Sequence, residues 1–259
     1  MGRPRININE RIGLENLTKY GTKMIIVEYY SCNNIIVEFQ DEYKTRVSAS
    51  YQTFKNSEIH NPYDKTLCGV GYLGIGKHQT KESGKDSKKY ITWKAMIQRC
   101  YDENFQIKNP TYKNCSVCDK WHNFQNFGDW FDENFYQVEE EIMCLDKDII
   151  MKGNKIYCPE YCCFLPKSIN SSFIGKKRSN TNSLLGVVYL EKDDVYQVQC
   201  KTINGKRTYL GRFKDKQEAF SVYLSERYKT IRQYIDKYNN YLPNKIKSAL
   251  LNYEFDMED

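Results

Sequence analysis

The chain has 259 residues and a mass of 30.8 kDa, room for one to three domains. Hydrophobic residues make up 40% and charged residues 28%, the balance of a folded chain. No apolar run approaches the ~18 residues of a membrane span, and Met1-Gly2-Arg3-Pro4-Arg5 lacks the apolar core of a signal peptide. Membrane and secretory readings are thereby excluded, and an intracellular protein is expected.

Charge is unevenly spread. Residues 176–238 carry 14 Lys or Arg against 7 Asp or Glu, whereas residues 1–59 and 60–175 are near neutral and residues 239–259 carry 2 against 4. A positive field confined to one segment is the footprint either of a polyanion-binding module or of a solvated basic face.

In chain order, Lys23–Tyr30, Ile35–Phe39 and Tyr43–Val47 read as three short strands separated by the turns Ser31-Cys32-Asn33-Asn34 and Asp41-Glu42. A small β-rich module over 1–62 follows. Gly69–Gly76 is glycine-rich but lacks the Gly-Lys-Ser/Thr ending of a phosphate loop, and the lysine-rich stretch His78–Lys89 reads as an exposed connector within 63–89. Trp93, Met96, Ile97 and Cys100 recur at i, i+3, i+4, i+7, as do Phe124, Phe127, Trp130 and Phe131. Both sets predict amphipathic helices with their stripes in a core.

Next come a strand candidate, Cys144–Met151, a turn at Lys152-Gly153-Asn154-Lys155, a second strand from Ile156, a tight turn at Pro159-Glu160-Tyr161, and Cys162–Pro166 leading into a helix with Asn170. This order, Asp-basic, Gly-Asn, Tyr-x-Pro-Glu-x-Cys and helical Asn, resembles the HNH, or ββα-metal, nucleases of the phage homing-endonuclease type. Trp93, Arg99-Cys100-Tyr101 and Trp121-His122-Asn123-Phe124 extend the resemblance over residues 90–175. It implies Mg²⁺ (or Mn²⁺) held by Asp146 and Asn170, a hard-oxygen site suited to phosphodiester hydrolysis. Asp148 would share a strand face with Asp146 as a second ligand or a modulator. The family's general base is a His directly after the Asp. Lys147 stands there instead, and an ordinary lysine titrates too high to serve. His122 is the candidate replacement base, with Lys147 left to hold a phosphate; a slow nickase and an inactive nuclease kept for binding are the other readings.

Ten cysteines in an intracellular chain suggest either reduced packing thiols or metal ligands. Cys115-x-x-Cys118 has the spacing of half a zinc site. Cys158 and Cys162 would complete it, with Cys100 and Cys163 as alternatives.

Ser183–Glu226 alternates in strand fashion, turns at Asn204-Gly205 and becomes helical from Gln217. Gly186-Val187, Asn204-Gly205-Lys206, Leu210-Gly211-x-Phe213 and Glu218-Ala219-Phe220…Tyr223 resemble the AP2 DNA-binding domain. That resemblance implies a three-stranded sheet laid in the major groove. Carried over by position, Tyr196, Gln199, Lys201, Arg207 and Tyr209 would read bases or hold phosphates, the two tyrosines equally suiting a packing role. Val188 and Leu190 stand where the plant members have Arg, which weakens readout from the first strand. Lys176, Lys177 and Arg178, in a basic linker over 176–182, would add phosphate contacts.

The whole chain is thus expected to be α+β: a β module, an HNH-like ββα-metal domain (90–175), an AP2-like domain (183–238) and an acidic tail (239–259). The expected activity is Mg²⁺-dependent, site-directed nicking or cutting of double-stranded DNA by a monomer in the cytoplasm of a phage's bacterial host. A catalytically inactive DNA-binding or regulatory protein is the alternative.

Overall fold

The computed structural model describes residues 10–173 and 183–257. Helices and strands are interspersed throughout, giving the expected α+β fold, and the chain divides into two compact units, Met1–Phe131 and Asp132–Asp259. The division falls inside segment 90–175. No helix among the described residues is long and apolar enough to cross a membrane.

In the first unit, β1 (Glu15–Leu17), β2 (Lys23–Ser31), β3 (Asn34–Phe39) and β4 (Arg46–Ala49) form an antiparallel sheet in sequential order. Period-two alternation sends Met24, Ile26, Ile35, Val37 and Phe39 to one face, where Phe54 of α1 (Tyr51–Lys55) and Ile59 complete a core. The strand expected at Tyr43–Val47 is displaced to Arg46–Ala49. The Asp41 carboxylate accepts from the N–H groups of Tyr43 (3.0 Å) and Lys44 (3.1 Å), and Lys44 takes a positive φ of 48°, a turn that a strand cannot contain.

Most of the stretch from His78 to Lys89 is exposed, as expected, but it is not a plain connector. It contains the hairpin β5 (Lys81–Glu82) and β6 (Lys85–Asp86), and His78 is buried. The imidazole lies over Gly128, where a Cβ would come within 2.4 Å of the His78 Cδ2. His78 Nε2 meets Asp129 Oδ1 at 3.0 Å, and Lys77 reaches the same oxygen at 2.9 Å. Lys77 first, then His78, hold the Asp129 carboxyl below the usual carboxylate range. α2 (Lys88–Tyr101), capped by Ser87, buries Trp93, Met96, Ile97 and Cys100 as their spacing predicts. α3 (Glu103–Lys108) and β7 (Ser116–Val117) follow, and α4 (Phe124–Asn134) buries Phe124, Phe127, Trp130 and Phe131. The Trp93 indole donates to the Trp121 carbonyl at 2.7 Å, which satisfies the polar atom of a fully buried ring.

The second unit begins with β8 (Met143–Asp146), β9 (Ile156–Tyr157), β10 (Cys163–Pro166) and α5 (Lys167–Phe173). β10 runs antiparallel to β8 with Asp146 opposite Cys163, and α5 packs against both, a ββα unit. β11 (Ser183–Leu184), β12 (Val187–Leu190), β13 (Val195–Lys201) and β14 (Arg207–Phe213) form a second antiparallel sheet, one short strand more than expected. α6 (Lys216–Lys237), capped by Asp215, crosses its inner face. The segment expected as an acidic tail folds back: α7 (Asn244–Leu251) buries Ile246 and Leu250, and Phe255 is buried beyond it.

Gly186, between β11 and β12, has a φ of +70°, and a Cβ there would lie 2.1 Å from the buried Tyr223 ring. Replacing Gly186 with Ala therefore adds backbone strain to a steric clash. The Gly186→Ala variant is expected to lose about 2–3 kcal/mol or more in urea denaturation.

Candidate functional site

The expected strand Cys144–Met151 stops at Asp146 because the Asp146 side chain turns the chain. Its Oδ1 accepts from the N–H groups of Asp148 and Ile149, both at 2.8 Å. Asp148 is consequently not two residues further along a strand on a shared face. It lies in the turn and pairs with the Lys147 ammonium. Lys147 is only 6% exposed. Its Nζ also donates to the Asn154 carbonyl at 2.8 Å and lies 5.9 Å from the centre of the Tyr157 ring.

Asn154 answers from the other side. Its amide donates to the carbonyls of Lys147 and Ile156, both at 2.8 Å, and its Oδ1 accepts from the Ile156 N–H. Lys147 and Asn154 therefore clasp the loop 147–154 through reciprocal bonds, with Gly153 supplying the left-handed turn at φ +77°. Asn154 was not among the expected site residues, although an Asn after Gly in a turn is the available signal. Where the resemblance expects a base, Lys147 is thus a buried loop clasp.

Burial raises the Asp146 carboxyl above the usual carboxylate range, and the adjacent Asp148 adds to this, against the lowering effect of the two backbone N–H groups and Lys147. With Oδ1 fixed by the backbone, Asp146 Oδ2 takes no hydrogen bond among the described residues. Asn170 lies half-buried on α5, the helix packed against β8, and its side chain also makes none. Each leaves a hard oxygen uncommitted, the donor type that Mg²⁺ prefers.

His122 lies in the first unit, at the end of a 3₁₀ turn. Its Nε2 is 3.4 Å from the Tyr101 hydroxyl and its Nδ1 is 3.7 Å from Asp119. Cys100, Cys115 and Cys118 also belong to the first unit, and Cys158, Cys162 and Cys163 to the second. Among the described residues no group of three or more His, Cys, Asp or Glu side chains is arranged to hold a metal, and none of the ten cysteines is in a disulfide. Burial raises the thiols of Cys158, Cys162 and Cys163, the neutral state of packing cysteines.

In the second sheet, strand register assigns the faces. Val187, Val198 and Cys200 point towards α6. Tyr196 has the same parity, packs on that core and lies 5.0 Å from the Tyr189 ring, so it does not share a face with Gln199 and Lys201. The outward face carries the rows Val188–Gln197–Arg212, Gln199–Tyr209 and Lys201–Arg207. A bulge leaves Leu210 as an extra residue between Tyr209 and Gly211, which keeps Tyr209 outward and 57% exposed. Gln197 and Arg212 are on this face and were not among the expected residues; counting by twos from Gln199 would have found Gln197. Arg212 also pairs with Asp193 at 3.0 Å. Lys176, Lys177 and Arg178 lie outside the described residues.

The chain matches no protein-family model, no curated protein and no solved structure.

A folded-state carboxyl held above its unfolded value costs stability once pH rises high enough to ionise it. Asp146→Asn keeps an oxygen for the two N–H groups and removes the charge. This variant is expected to melt higher than wild type at neutral pH, with the difference closing as pH falls towards the unfolded carboxylate value of ~3.9. Thermal melts across pH check this, and a gap independent of pH would contradict the burial argument.

Proposed function

We propose that the chain is a DNA endonuclease of the ββα-metal type, hydrolysing phosphodiester bonds in duplex DNA that is held by the sheet β11–β14. The observation that carries this reading is a ββα unit with a backbone-fixed Asp146 whose second oxygen is uncommitted, beside a helix bearing Asn170. Asp146 and Asn170 would hold a Mg²⁺ ion, which supplies charge stabilisation to the transferring phosphoryl group. The protein's own part is orientation. Two backbone N–H groups set the Asp146 carboxylate, and the Lys147–Asn154 clasp keeps the loop behind it closed. Lys201 and Arg207 on the outward sheet face supply charge for phosphates, and Gln197, Gln199 and Arg212 supply groups able to bond base edges.

A second reading, DNA binding without cleavage, is favoured by one observation: the ammonium at the position of the family's base is engaged in the loop clasp.

Incubation of supercoiled plasmid with Mg²⁺ or Mn²⁺ separates the two readings. Wild type is expected to give nicked or linear product, and Asp146→Asn to lower the rate about a hundredfold or more. Salt-dependent duplex binding without cleavage selects the second reading, most clearly if Lys147→His then introduces activity. Neither binding nor cleavage rejects both. For the binding face, Lys201→Ala and Arg207→Ala are each expected to flatten the slope of log affinity against log salt by about 0.9. Tyr196→Ala is expected to lower thermal stability and leave that slope unchanged.

A further inference from the structure

The segment after α7 converges on one lysine of the loop that follows Asp146. Lys152 Nζ is 2.6 Å from the Asp256 carboxylate and 2.9 Å from the Glu254 carbonyl, and it lies 5.7 Å from the centre of the Tyr253 ring. The segment is held there by its apolar side. Phe255 is buried, with its ring 5.6 Å from Phe173 at the end of α5 and 5.8 Å from Tyr228 on α6. The Tyr228 hydroxyl donates to the Tyr253 carbonyl at 3.2 Å, and the Leu185 N–H donates to the Met257 carbonyl at 3.3 Å. The anchor is apolar and internal. The ion pair is at the surface, with the Lys152 side chain 30% exposed and that of Asp256 74% exposed.

We infer that this C-terminal strap is an intramolecular competitor for nucleic acid: Asp256 caps Lys152 in the unliganded protein, and a backbone phosphate of duplex DNA takes its place. The inference rests on the duplex-DNA reading above and adds regulation to that site. Lys152 is in the loop that follows Asp146, and its ammonium is already bound by a carboxylate, so a phosphate that takes it must displace Asp256. An exposed ion pair contributes little to stability and is screened by salt, so a polyanion that releases counterions can displace it. Phe255 keeps the segment attached when the ion pair opens, so the cap reforms by an intramolecular step.

Glu254 provides an internal control. Only its carbonyl meets Lys152, so Glu254→Gln removes the same charge as Asp256→Asn without touching the cap. Duplex affinity would be measured by fluorescence anisotropy over a salt series for wild type, Asp256→Asn, Glu254→Gln, Lys152→Ala and the Asp256→Asn/Lys152→Ala double variant. Asp256→Asn is expected to bind about two- to fivefold more tightly than wild type at low salt and more tightly than Glu254→Gln. The gain should vanish in the Lys152→Ala background. Equal effects of Asp256→Asn and Glu254→Gln, or a gain that survives Lys152→Ala, would overturn the inference and leave the DNA reading intact. No salt-dependent duplex binding by any of the five proteins overturns both.

Discussion

The second unit depends on the burial of one helix on two sides. α6 has 22 residues and is about 33 Å long. Its first turns bury Ala219, Phe220 and Tyr223 against the inner face of β12–β14. Its later turns bury Ile231, Tyr234 and Ile235 in a different core, with Ile149, Leu165 and Ile169 of the ββα region and Ile246 and Leu250 of α7. Neither the four-stranded sheet nor the β8–β10 pair has enough apolar surface to stand alone, since a small sheet needs a helix over its apolar face. The sheet and the ββα unit are therefore parts of a single folded body. The Tyr238 hydroxyl, donating to Glu141 at 2.5 Å and accepting from Lys237 at 3.0 Å, fixes the far end of α6 to the same region.

Within that body the loop after Asp146 is organised by charge. An ammonium as buried as that of Lys147 is tolerated only when its donors are satisfied, and Asp148, the Asn154 carbonyl and the Tyr157 ring face together do this. The same bonds hold the Asp146 turn in place, so the loop's stability and the carboxylate's orientation come from one set of contacts. A shorter side chain at position 147 could not span to the Asn154 carbonyl as this long ammonium chain does.

The basic sheet β11–β14 and the acidic strap also belong to this body. The outward face of the second sheet is mixed, with apolar Val188 in the same row as Arg212, which Asp193 pairs, and Lys201 with Arg207 in another. The strap brings Asp256 to Lys152 while its aromatic side chain fills the core beside α6. One short segment thus combines an apolar anchor with an ionic contact that salt or a polyanion can open.

The sequence by itself determined the local elements. The helical stripes of α2 and α4, the alternation of β2, β3 and β13 and the turn at Gly205 follow from periodicity and backbone preference, which act over a few residues. Only the tertiary structure decided where hydrogen-bond groups are spent and which cores are shared. The Asp146 carboxylate closes a turn instead of continuing a strand, Tyr196 faces inward, His78 is buried over Gly128, and the expected tail packs beneath α6. Each of these depends on a partner distant in sequence or on competition between a side chain and the backbone for the same N–H groups. Neither kind of information has a period that can be read along a chain.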